Sequence, residues 1–394
     1  MKTALILAAG EGTRMHPLTL TRPKPLLPVG GKPMIKWTIG LLKNAGIADI
    51  FVLVGSNEEK IRKALGDEVS YIRQESRDGT AHAVGCAESV IDESFICING
   101  DVVVEGSLFT QLKEFYAKKR GNIITVTQSR KPEDFGVVQI DSEGNVLDIS
   151  EKPKKPRSNY INAGIYVFEP EIFQLVKKTN KSPRGEYEIT DTLKLAASYG
   201  FVYDGFWLDV GKPWDLLDAN EFYVKKTKGD LSGEVHPNAT IEGEVRVGEG
   251  SVIRAGSYII GPVTIGRDCV IGPNCFIRPF TSLGDNVHIG NGVEIKNSII
   301  MNNSKVPHLS YVGDSIIGEN CNFGAGTNVA NLRFDNAEVK LNIRGEMESS
   351  GRRKFGCVVG DNVKTGINVS IMPGKKIWPN RLIPPLTVVD KDIE

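Results

Sequence analysis

The first residues that could do chemistry lie just after the opening apolar run, where residues 7–25 read LAAGEGTRMHPLTLTRPKP. A strand followed by Gly10, Gly12 and a polar turn lets backbone amides approach a polyphosphate. Arg14 and Lys24 suit the stabilisation of charge on a transferring phosphoryl group. The spacing fits neither the dinucleotide-binding nor the P-loop pattern, and the glycines alone are also typical of a tight turn. With the two cations, the stretch indicates phosphoryl-transfer chemistry.

Two carboxylates follow apolar runs further along the chain. Asp101 ends the run in INGDVVV, and Asp209 ends the run in FWLDVGKP. In phosphoryl-transfer sites Mg²⁺ is held by one or two carboxylates together with phosphate oxygens. Either aspartate alone would also serve as a loop cap. Together with the opening loop, the pair predicts an Mg²⁺ site.

The elements that must position these residues follow two different patterns. Up to about residue 228, short runs rich in β-branched residues alternate with segments of helical period such as 34–45 and 108–119. This alternation is typical of an α/β domain, Rossmann-like and with a mostly parallel sheet, that binds ligands at the carboxyl ends of its strands. A connecting helix is predicted over 212–228, so the predicted domains are 1–228 and 229–394.

The second pattern is a repeat of six residues. Its aliphatic positions recur without a slip at Ile241, Val247, Ile253, Ile259, Ile265, Ile271, Ile277, Leu283, Ile289, Ile295 and Met301. The repeat breaks around Pro307, resumes at Ile317 and returns at Val359. A sustained hexapeptide period predicts a parallel β-helix in which each aliphatic side chain points into the axial core.

Composition excludes several classes of function. Lysine plus arginine balances aspartate plus glutamate at 48 each, so no global charge favours nucleic acid or a membrane surface. The six cysteines form no CxxC pair and are interpreted as reduced, mostly buried small hydrophobes. No apolar run is long enough for a signal peptide or a membrane span. We therefore expect a cytoplasmic protein.

The stretch GEGTRMHPLTLTRPKP resembles the signature of sugar-1-phosphate nucleotidylyltransferases. The resemblance implies that Arg14 aids pyrophosphate departure and that Lys24 neutralises the phosphate of the attacking sugar 1-phosphate. The implied nucleotide-binding residues are Gly10, Gly12, Thr13, Arg14, Gln74, Gly79 and Thr80. The implied sugar-phosphate positions are Gly136, Glu151 and Asn162, with Lys152 nearby. His16 and His82 are interpreted as structural.

The stretch from Cys269 to Phe334 resembles the second domain of the bacterial bifunctional N-acetylglucosamine-1-phosphate uridyltransferases/glucosamine-1-phosphate acetyltransferases, which is a left-handed β-helix. This resemblance implies acetyl transfer from acetyl-CoA to an amino sugar, with His308 as the catalytic base. A histidine suits that role because it is neutral near pH 7, although an isolated histidine is often structural. The implied substrate-binding residues are Arg278, Lys296, Tyr311, Asn322, Asn331 and, in place of the family lysine, Lys340, with Ala325 at acetyl-CoA.

The sequence departs from the bacterial pattern at two positions and in one segment. Ala337 stands where the family has a lysine, and Ile367 stands where it has a serine in the acetyl-CoA contact region. The segment EVKLNIRGEMESSGRRKFGC is longer than in bacteria. Its cations at 352–354 would either meet CoA phosphates or form a solvated turn.

The expected protein is a bifunctional enzyme that makes UDP-N-acetylhexosamine. Its expected substrates are acetyl-CoA, glucosamine 1-phosphate or galactosamine 1-phosphate, and UTP, with dTTP and glucose 1-phosphate as further substrates. The resemblance also implies a homotrimer. One alternative is a glucose-1-phosphate thymidylyl- or uridylyltransferase whose β-helix is only a trimerisation scaffold. Another is a non-catalytic regulatory subunit of the translation initiation factor type, which has no need for Arg14, Lys24, Asp101 and Asp209.

Overall fold

The computed structural model describes residues 1–394. The chain divides into two compact units, one comprising residues 1–11 and 34–209 and the other comprising residues 12–33 and 210–394. By compactness, therefore, the loop that follows the first strand and the helix near residue 220 belong with the C-terminal repeats. The predicted domain boundary at residue 228 differs from this division and stays a prediction.

Helices and strands alternate in the first 228 residues, as the sequence pattern predicts. The helices are α1 (Met34–Asn44), α2 (Glu58–Leu65), α3 (Thr80–Gly85), α4 (Leu108–Lys119), α5 (Ile172–Lys178), α6 (Ile189–Leu193) and α7 (Pro213–Lys225). The strands are β1 (Thr3–Leu7), β2 (Pro28–Val29), β3 (Lys32–Pro33), β4 (Asp49–Val54), β5 (Ser70–Arg73), β6 (Phe95–Asn99), β7 (Val102–Val104), β8 (Asn122–Gln128), β9 (Gly136–Ile140), β10 (Val146–Glu151), β11 (Tyr160–Phe168), β12 (Ser198–Val202) and β13 (Trp207–Asp209).

The first unit is built on a nine-stranded sheet. Its central path runs β10-β9-β11-β6-β1-β4-β5, and β8 pairs with both β11 and β12. The strands β6, β1, β4 and β5 are parallel, whereas β11 runs antiparallel to its neighbours β6, β8 and β9. The core beneath the sheet includes Phe95, whose ring stacks on Phe173 with centroids 5.6 Å apart. The carboxyl ends of the parallel strands are thereby held at one edge.

The second unit contains a β-helix of short parallel strands stacked in three sheets. Its axial core is a single cluster of buried aliphatic residues, and Cys269, Cys275 and Cys321 lie within it. All six cysteines are free thiols, as predicted. The strands that form the three sheets are 230–231, 234–235, 240–242, 245–247, 252–253, 258–260, 263–265, 270–271, 276–277, 281–283, 288–291, 294–296, 299–300, 305–308, 311–313, 316–317, 328–329, 357–359, 364–365, 370–371, 375–377, 382–383 and 388–389.

One repeat is five residues long instead of six, so the axial residue that follows Ile295 is Ile300. Leu283 pairs with Ile300, which is fully buried in the axial core, and Met301 lies outside that cluster. The prediction that Met301 is an axial residue was therefore wrong. The coil loses a residue at the turn after Lys296, where Asn297 adopts a left-handed φ of 44°. Asparagine tolerates this conformation better than most residues, so the tighter turn is permitted.

The segment 12–33 is fastened to the β-helix. Arg22 forms ion pairs with Glu319 (2.8 Å) and Asp361 (2.7 Å). The pKa of Arg22 is raised: burial lowers it, but the two carboxylates outweigh that effect. Asn220 of α7 accepts a hydrogen bond from the Gly30 amide at 2.9 Å and donates one to the Phe280 carbonyl at 2.8 Å. These contacts lie within the second unit and fix both the loop and α7 on the coils.

An insertion interrupts the coils between residues 329 and 357. It contains a two-stranded antiparallel hairpin, Lys340–Ile343 and Glu346–Ser349, which we call the insert hairpin. Its turn residues Arg344 and Gly345 both have positive φ, 53° and 92°, the combination that a tight two-residue hairpin turn requires. No helix in the structure has the length and apolar character that crossing a bilayer would need.

Candidate functional site

The glycine-rich loop is tightly packed at Gly12. This residue has a φ of 66°, and a Cβ on it would lie 3.1 Å from the Lys24 Cβ and 3.2 Å from the Thr19 methyl carbon. Thr19 also donates its hydroxyl to the Gly12 carbonyl at 2.8 Å. Only glycine combines this φ with this lack of space without strain. Gly12 and Lys24 are therefore neighbours, and the Lys24 side chain is buried.

Thr13 and Arg14 form a short 3-10 helix, Thr13–Met15, directly after Gly12. The hydroxyl of Thr13 accepts hydrogen bonds from the Arg344 guanidinium, with Nε at 2.8 Å and Nη2 also in contact. Arg344 was not among the predicted site residues. It is more than three hundred positions away in the sequence, so no local pattern could have found it.

The predicted base-reading segment is held rigidly in the first unit. Gln74 is buried, and its side-chain amide lies 2.9 Å from the Nδ1 atom of His82. Gly79 has a φ of 114°, and a Cβ on it would lie 2.5 Å from the Tyr187 carbonyl oxygen. Thr80 accepts a hydrogen bond from the Ile189 amide at 2.9 Å. His82 thus orients the Gln74 amide, a role that the prediction of a merely structural histidine did not include.

The three predicted sugar-binding residues lie together. Gly136 pairs with Glu151 across β9 and β10, and a Cβ on Gly136 would lie 3.1 Å from Glu151 Oε2 and 3.5 Å from the Asn162 Cβ. Asn162 donates to the Tyr166 hydroxyl at 2.8 Å. Glu151 lies 3.3 Å from the Arg184 guanidinium. The site therefore has a carboxylate and an amide beside a bare backbone, groups suited to sugar hydroxyls.

Asp101 and Asp209 lie at the same end of a two-stranded sheet. β7 and β13 pair antiparallel with Asp209 opposite Val102, the residue that follows Asp101. Both aspartates are partly exposed. Two partly exposed aspartates at one end of a sheet supply the carboxylate oxygens that Mg²⁺ accepts when phosphate oxygens and water complete its shell. The residues present thus fit the predicted metal.

Four of the predicted acetyl-transfer residues converge on the β-helix. Lys296 Nζ lies 3.1 Å from Asp314 Oδ2, and Asn331 donates both to Asp314 and to the Tyr311 hydroxyl, at 2.5 and 3.0 Å. Arg278 forms an ion pair at 2.9 Å with Glu294, which pairs with Tyr311 across adjacent coils. The shared partner Asp314 is almost fully buried and was not predicted.

Burial raises the pKa of Tyr311, and the nearby Asp314 carboxylate raises it further. The phenol is therefore neutral near pH 7 and acts as a hydrogen-bonding group. Asp314 also accepts a hydrogen bond at 2.7 Å from Asn297, at the shortened turn. The slip in the repeat therefore lies at the site itself.

The other predicted acetyl-transfer residues follow a corner between two sheets. His308 ends its strand beside Asn291, and its carbonyl accepts the amide of Gly326, which follows Ala325. The His308 imidazole is exposed and makes no hydrogen bond within the chain. Asn322 bridges the strands of Lys305 and Lys364 on the same sheet. No hydrogen bond joins this corner to the Arg278 group.

The residues of the positions and segment that differ from the bacterial pattern lie outside the Arg278 group. Lys340 is exposed on the insert hairpin, and no hydrogen bond or ion pair joins it to the Arg278 group. Ala337 is exposed in the turn that follows Asn331. Arg352 forms an ion pair with Asp218 of α7, so it is not a solvated cation. Ile367 is exposed in the coil after Ala325.

Comparisons with known proteins agree with both units. The chain matches the nucleotidyl transferase family over residues 3–226, and a family described as the GMPPB C-terminal domain over residues 259–391. A Methanocaldococcus jannaschii protein named bifunctional protein GlmU is 45% identical, over 99% of this chain and 95% of the relative. A Sulfurisphaera tokodaii bifunctional sugar-1-phosphate nucleotidylyltransferase/acetyltransferase is 44% identical, over 99% and 98%.

A solved structure of a UDP-glucose pyrophosphorylase complexed with UDP-glucose also aligns with this chain. It is 27% identical, has a TM-score of 0.52, and the alignment covers 57% of this chain and 99% of that one. An α/β nucleotidyltransferase sheet followed by a parallel β-helix defines a two-part transferase. The chain belongs to the nucleotidyl transferase family and, over its full length, to the family of bifunctional sugar-1-phosphate nucleotidylyltransferases/acetyltransferases. The predicted family, fold class and enzyme class are confirmed.

Proposed function

We propose that this enzyme acetylates glucosamine 1-phosphate with acetyl-CoA and then transfers a uridylyl group from UTP to the product. The observation that carries the proposal is the cluster in which Lys296 and Asn331 contact Asp314, Asn331 also bonds to Tyr311, and Arg278 pairs with Glu294 beside Tyr311. A β-helix that served only as a scaffold has no need for such a cluster. The full-length relatives are named for both activities.

In uridylyl transfer, an oxygen of the sugar 1-phosphate attacks the α-phosphorus of UTP, and pyrophosphate leaves. No side-chain nucleophile is needed, so the enzyme's task is positioning and charge neutralisation. Arg14 supports the leaving pyrophosphate, and Lys24 supports the attacking phosphate. Gly136, Glu151 and Asn162 bind the sugar, while Gln74 and the backbone at Gly79 read the base.

Asp101 and Asp209 would hold Mg²⁺, which when bound neutralises charge on the phosphates. The partial exposure of both residues and their position at one end of the β7–β13 pair support this assignment.

In acetyl transfer, the sugar amine attacks the thioester carbonyl of acetyl-CoA and the CoA thiol leaves. His308 accepts the proton of the amine, a role that suits its exposed imidazole. Arg278 and Lys296 bind the sugar phosphate, and Tyr311 and Asn331 orient the sugar. The other predicted contacts are Asn322 and Ala325, near His308, and Lys340, which lies apart on the insert hairpin.

The proposal includes dTTP as a further substrate, because one methyl group discriminates by only about 1–3 kcal/mol in a pocket. It also includes glucose 1-phosphate and galactosamine 1-phosphate, and the gluco and galacto sugars differ at one hydroxyl. It also includes a homotrimer and a cytoplasmic location. A second candidate, a nucleotidylyltransferase with a β-helix scaffold, is favoured by Ala337 and Ile367, which differ from the bacterial acetyltransferase pattern.

The test is release of CoA thiol by the full chain from acetyl-CoA and glucosamine 1-phosphate, and then from galactosamine 1-phosphate. Pyrophosphate release from UTP and a hexose 1-phosphate is measured in parallel. We expect both products, and we expect thiol release alone to disappear in His308→Ala. If pyrophosphate is released but neither amino sugar gives CoA thiol, the enzyme is a nucleotidylyltransferase whose β-helix is only a scaffold. Neither product from any pyrimidine triphosphate would indicate a regulatory subunit.

A further inference from the structure

The insert hairpin ends in a residue that contacts the predicted triphosphate-binding loop. At its turn, the Arg344 guanidinium donates to the Thr13 hydroxyl through two of its nitrogens, with Nε at 2.8 Å. Thr13 lies between Gly12, which has a positive φ, and Arg14, so its position bears directly on the loop that is predicted to bind the triphosphate. A distant part of the chain therefore holds the first turn of the signature.

The hairpin is itself held by ion pairs on its second strand and just after it. Glu348 on the second strand forms an ion pair with Lys212, and Arg352 after that strand forms one with Asp218 of α7. The Asn342 side chain accepts a hydrogen bond at 2.7 Å from the Gly345 amide across the turn. The turn backbone that carries Arg344 is thus fixed.

The far end of the loop is fixed independently. Arg22 lies between Glu319 and Asp361 of the β-helix, and the Gly30 amide bonds to Asn220. Between these anchors and Thr13, the Thr19 hydroxyl bonds to the Gly12 carbonyl. Within the loop, the Met15 and His16 amides also bond to the carbonyls of Gly12 and Thr13, and Arg344 is the residue from outside the loop that bonds to the Thr13 side chain.

We propose that Arg344 is a positioning residue for nucleotidylyl transfer, acting through the Thr13 hydroxyl. The proposal rests on the proposed uridylyl transfer and adds that the β-helix domain supplies a part of it. Preorganising a binding loop lowers the cost of ordering it around a ligand. The nucleotide triphosphate, rather than the sugar 1-phosphate, is the substrate whose binding should depend on Arg344.

The experiment measures steady-state uridylyl transfer by full-length Arg344→Ala, with acetyl transfer by the same preparation as an internal measure of the fold. We expect the KM for UTP to rise about tenfold, as for the loss of a hydrogen bond that involves a charged group. The KM for the sugar 1-phosphate and the rate of acetyl transfer should not change. Arg344→Lys should recover part of the loss, since it keeps the charge but not the planar fork.

A double-mutant cycle separates action through Thr13 from a general effect. In a Thr13→Val background, Arg344→Ala should have little further effect on the KM for UTP, because the acceptor is already gone. Arg246→Ala is the matched control: it removes an exposed arginine that makes no side-chain contact in the same unit. Its kinetics should equal those of the unmodified enzyme.

Three results would overturn the inference. One is an unchanged KM for UTP in Arg344→Ala, and another is an effect of Arg344→Ala that is fully additive with Thr13→Val. The third is a parallel fall in both activities with a lower melting temperature, which would make Arg344 a residue of general stability. If the unmodified enzyme released no pyrophosphate, the proposed function itself would fail, and that outcome is seen before any variant is compared.

Discussion

At the scale of single residues, two glycines in the predicted nucleotide site differ in what surrounds them. A Cβ on Gly10 would have no atom within 4 Å, and its φ lies outside the left-handed region. The protein itself therefore does not require glycine there. A triphosphate that approaches the backbone closely would require it.

Gly10→Ala should therefore leave folding intact and weaken nucleotide binding. We expect the free energy of unfolding to stay equal or rise by up to about 1 kcal/mol, since alanine restricts the unfolded chain. The KM for UTP should rise at least severalfold. Denaturant unfolding and pyrophosphate release measure the two effects. Unchanged kinetics would mean that the triphosphate does not approach this backbone.

Gly79→Ala is the opposite case and serves as the comparison. Its Cβ would lie 2.5 Å from a backbone oxygen, and its φ is 114°. We expect a loss of about 1–3 kcal/mol in unfolding free energy from backbone strain. The pair of variants thus distinguishes a glycine needed by the ligand from a glycine needed by the fold.

Asp314 is the buried carboxylate that two of the predicted acetyl-transfer residues, Lys296 and Asn331, contact. It accepts hydrogen bonds from Lys296 and Asn331 at Oδ2 and from Asn297 at Oδ1. Asp314→Asn therefore removes the charge and places an NH₂ group against one or two of these donors. Hydrogen bonds to charged groups are worth about 1.5–3 kcal/mol each. We expect kcat/KM for acetyl transfer to fall at least about tenfold.

Uridylyl transfer by Asp314→Asn, measured in the same preparation, should be unchanged. Acetyl transfer that persisted at the unmodified rate would show that Lys296 and Asn331 do not need this partner.

His288 gives the β-helix a pH dependence. Its pKa is lowered from the usual 6.5 by burial and by the nearby charges of Arg254, Lys305 and His308. Below pH 6.5, the unfolded chain therefore binds more protons at this residue than the folded chain does. Its contribution to stability is complete above that pH and decreases as the pH falls towards the lower folded value.

His288→Asn should remove this part of the pH dependence. Between pH 7.5 and 5, we expect the melting temperature of the unmodified protein to fall more steeply than that of the variant. If the melting temperatures of the two proteins fall equally steeply with pH, the pKa of His288 is not lowered in the folded protein.

At the scale of elements, the sequence was most informative where a pattern repeats. α4 spans Leu108–Lys119, the predicted segment, and the aliphatic repeat identified the axial core from Val247 to Ile295. The slip to Ile300 was not visible, because Met301 continues the six-residue spacing and only the turn at Asn297 decides the register.

Other features had no sequence signal for a physical reason. The segment 12–33 continues directly from β1, and nothing in its composition shows that it packs with the β-helix. The pairing of Gln74 with His82 and the shared role of Asp314 depend on where turns bring side chains. Motif resemblance located the predicted sites, whereas the side chains that support them are brought close only by the tertiary structure.

The contact between α7 and the coils is mediated by one buried amide. Asn220 is fully buried. It accepts hydrogen bonds from the Gly30 amide and the Ser282 hydroxyl and donates one to the Phe280 carbonyl. Asn220→Leu would leave these groups unpaired away from water. We expect the unfolding free energy to fall by about 2–4 kcal/mol.

Denaturant unfolding tests this expectation. Glu221→Gln on the same helix breaks only a surface ion pair with Lys225 and should stay within about 1 kcal/mol of the unmodified protein. A similar small change for Asn220→Leu would show that water or rearrangement satisfies the three groups.

At the scale of the whole molecule, an apolar stripe follows one corner of the β-helix. Leu309, Ile367 and Leu386 are 64%, 54% and 74% exposed, and the Leu386 amide bonds to the Ile367 carbonyl in the adjacent coil. Contiguous exposed apolar side chains usually mark an interaction surface. We expect a second copy of this chain to cover the stripe in the proposed homotrimer. Leu309 in the stripe is the residue after His308.

Replacing Ile367 and Leu386 together by glutamate should therefore dissociate the assembly, because charges would be buried between subunits without partners. Light scattering after gel filtration should give the double variant the mass of one chain and the unmodified protein the mass of the assembly. The double variant should lose acetyl transfer and keep uridylyl transfer. Leu231→Glu, at an exposed leucine in the first coil, should keep the original mass and both activities. An unchanged mass in the double variant with acetyl transfer lost would mean that acetyl-CoA, and not another subunit, covers this corner.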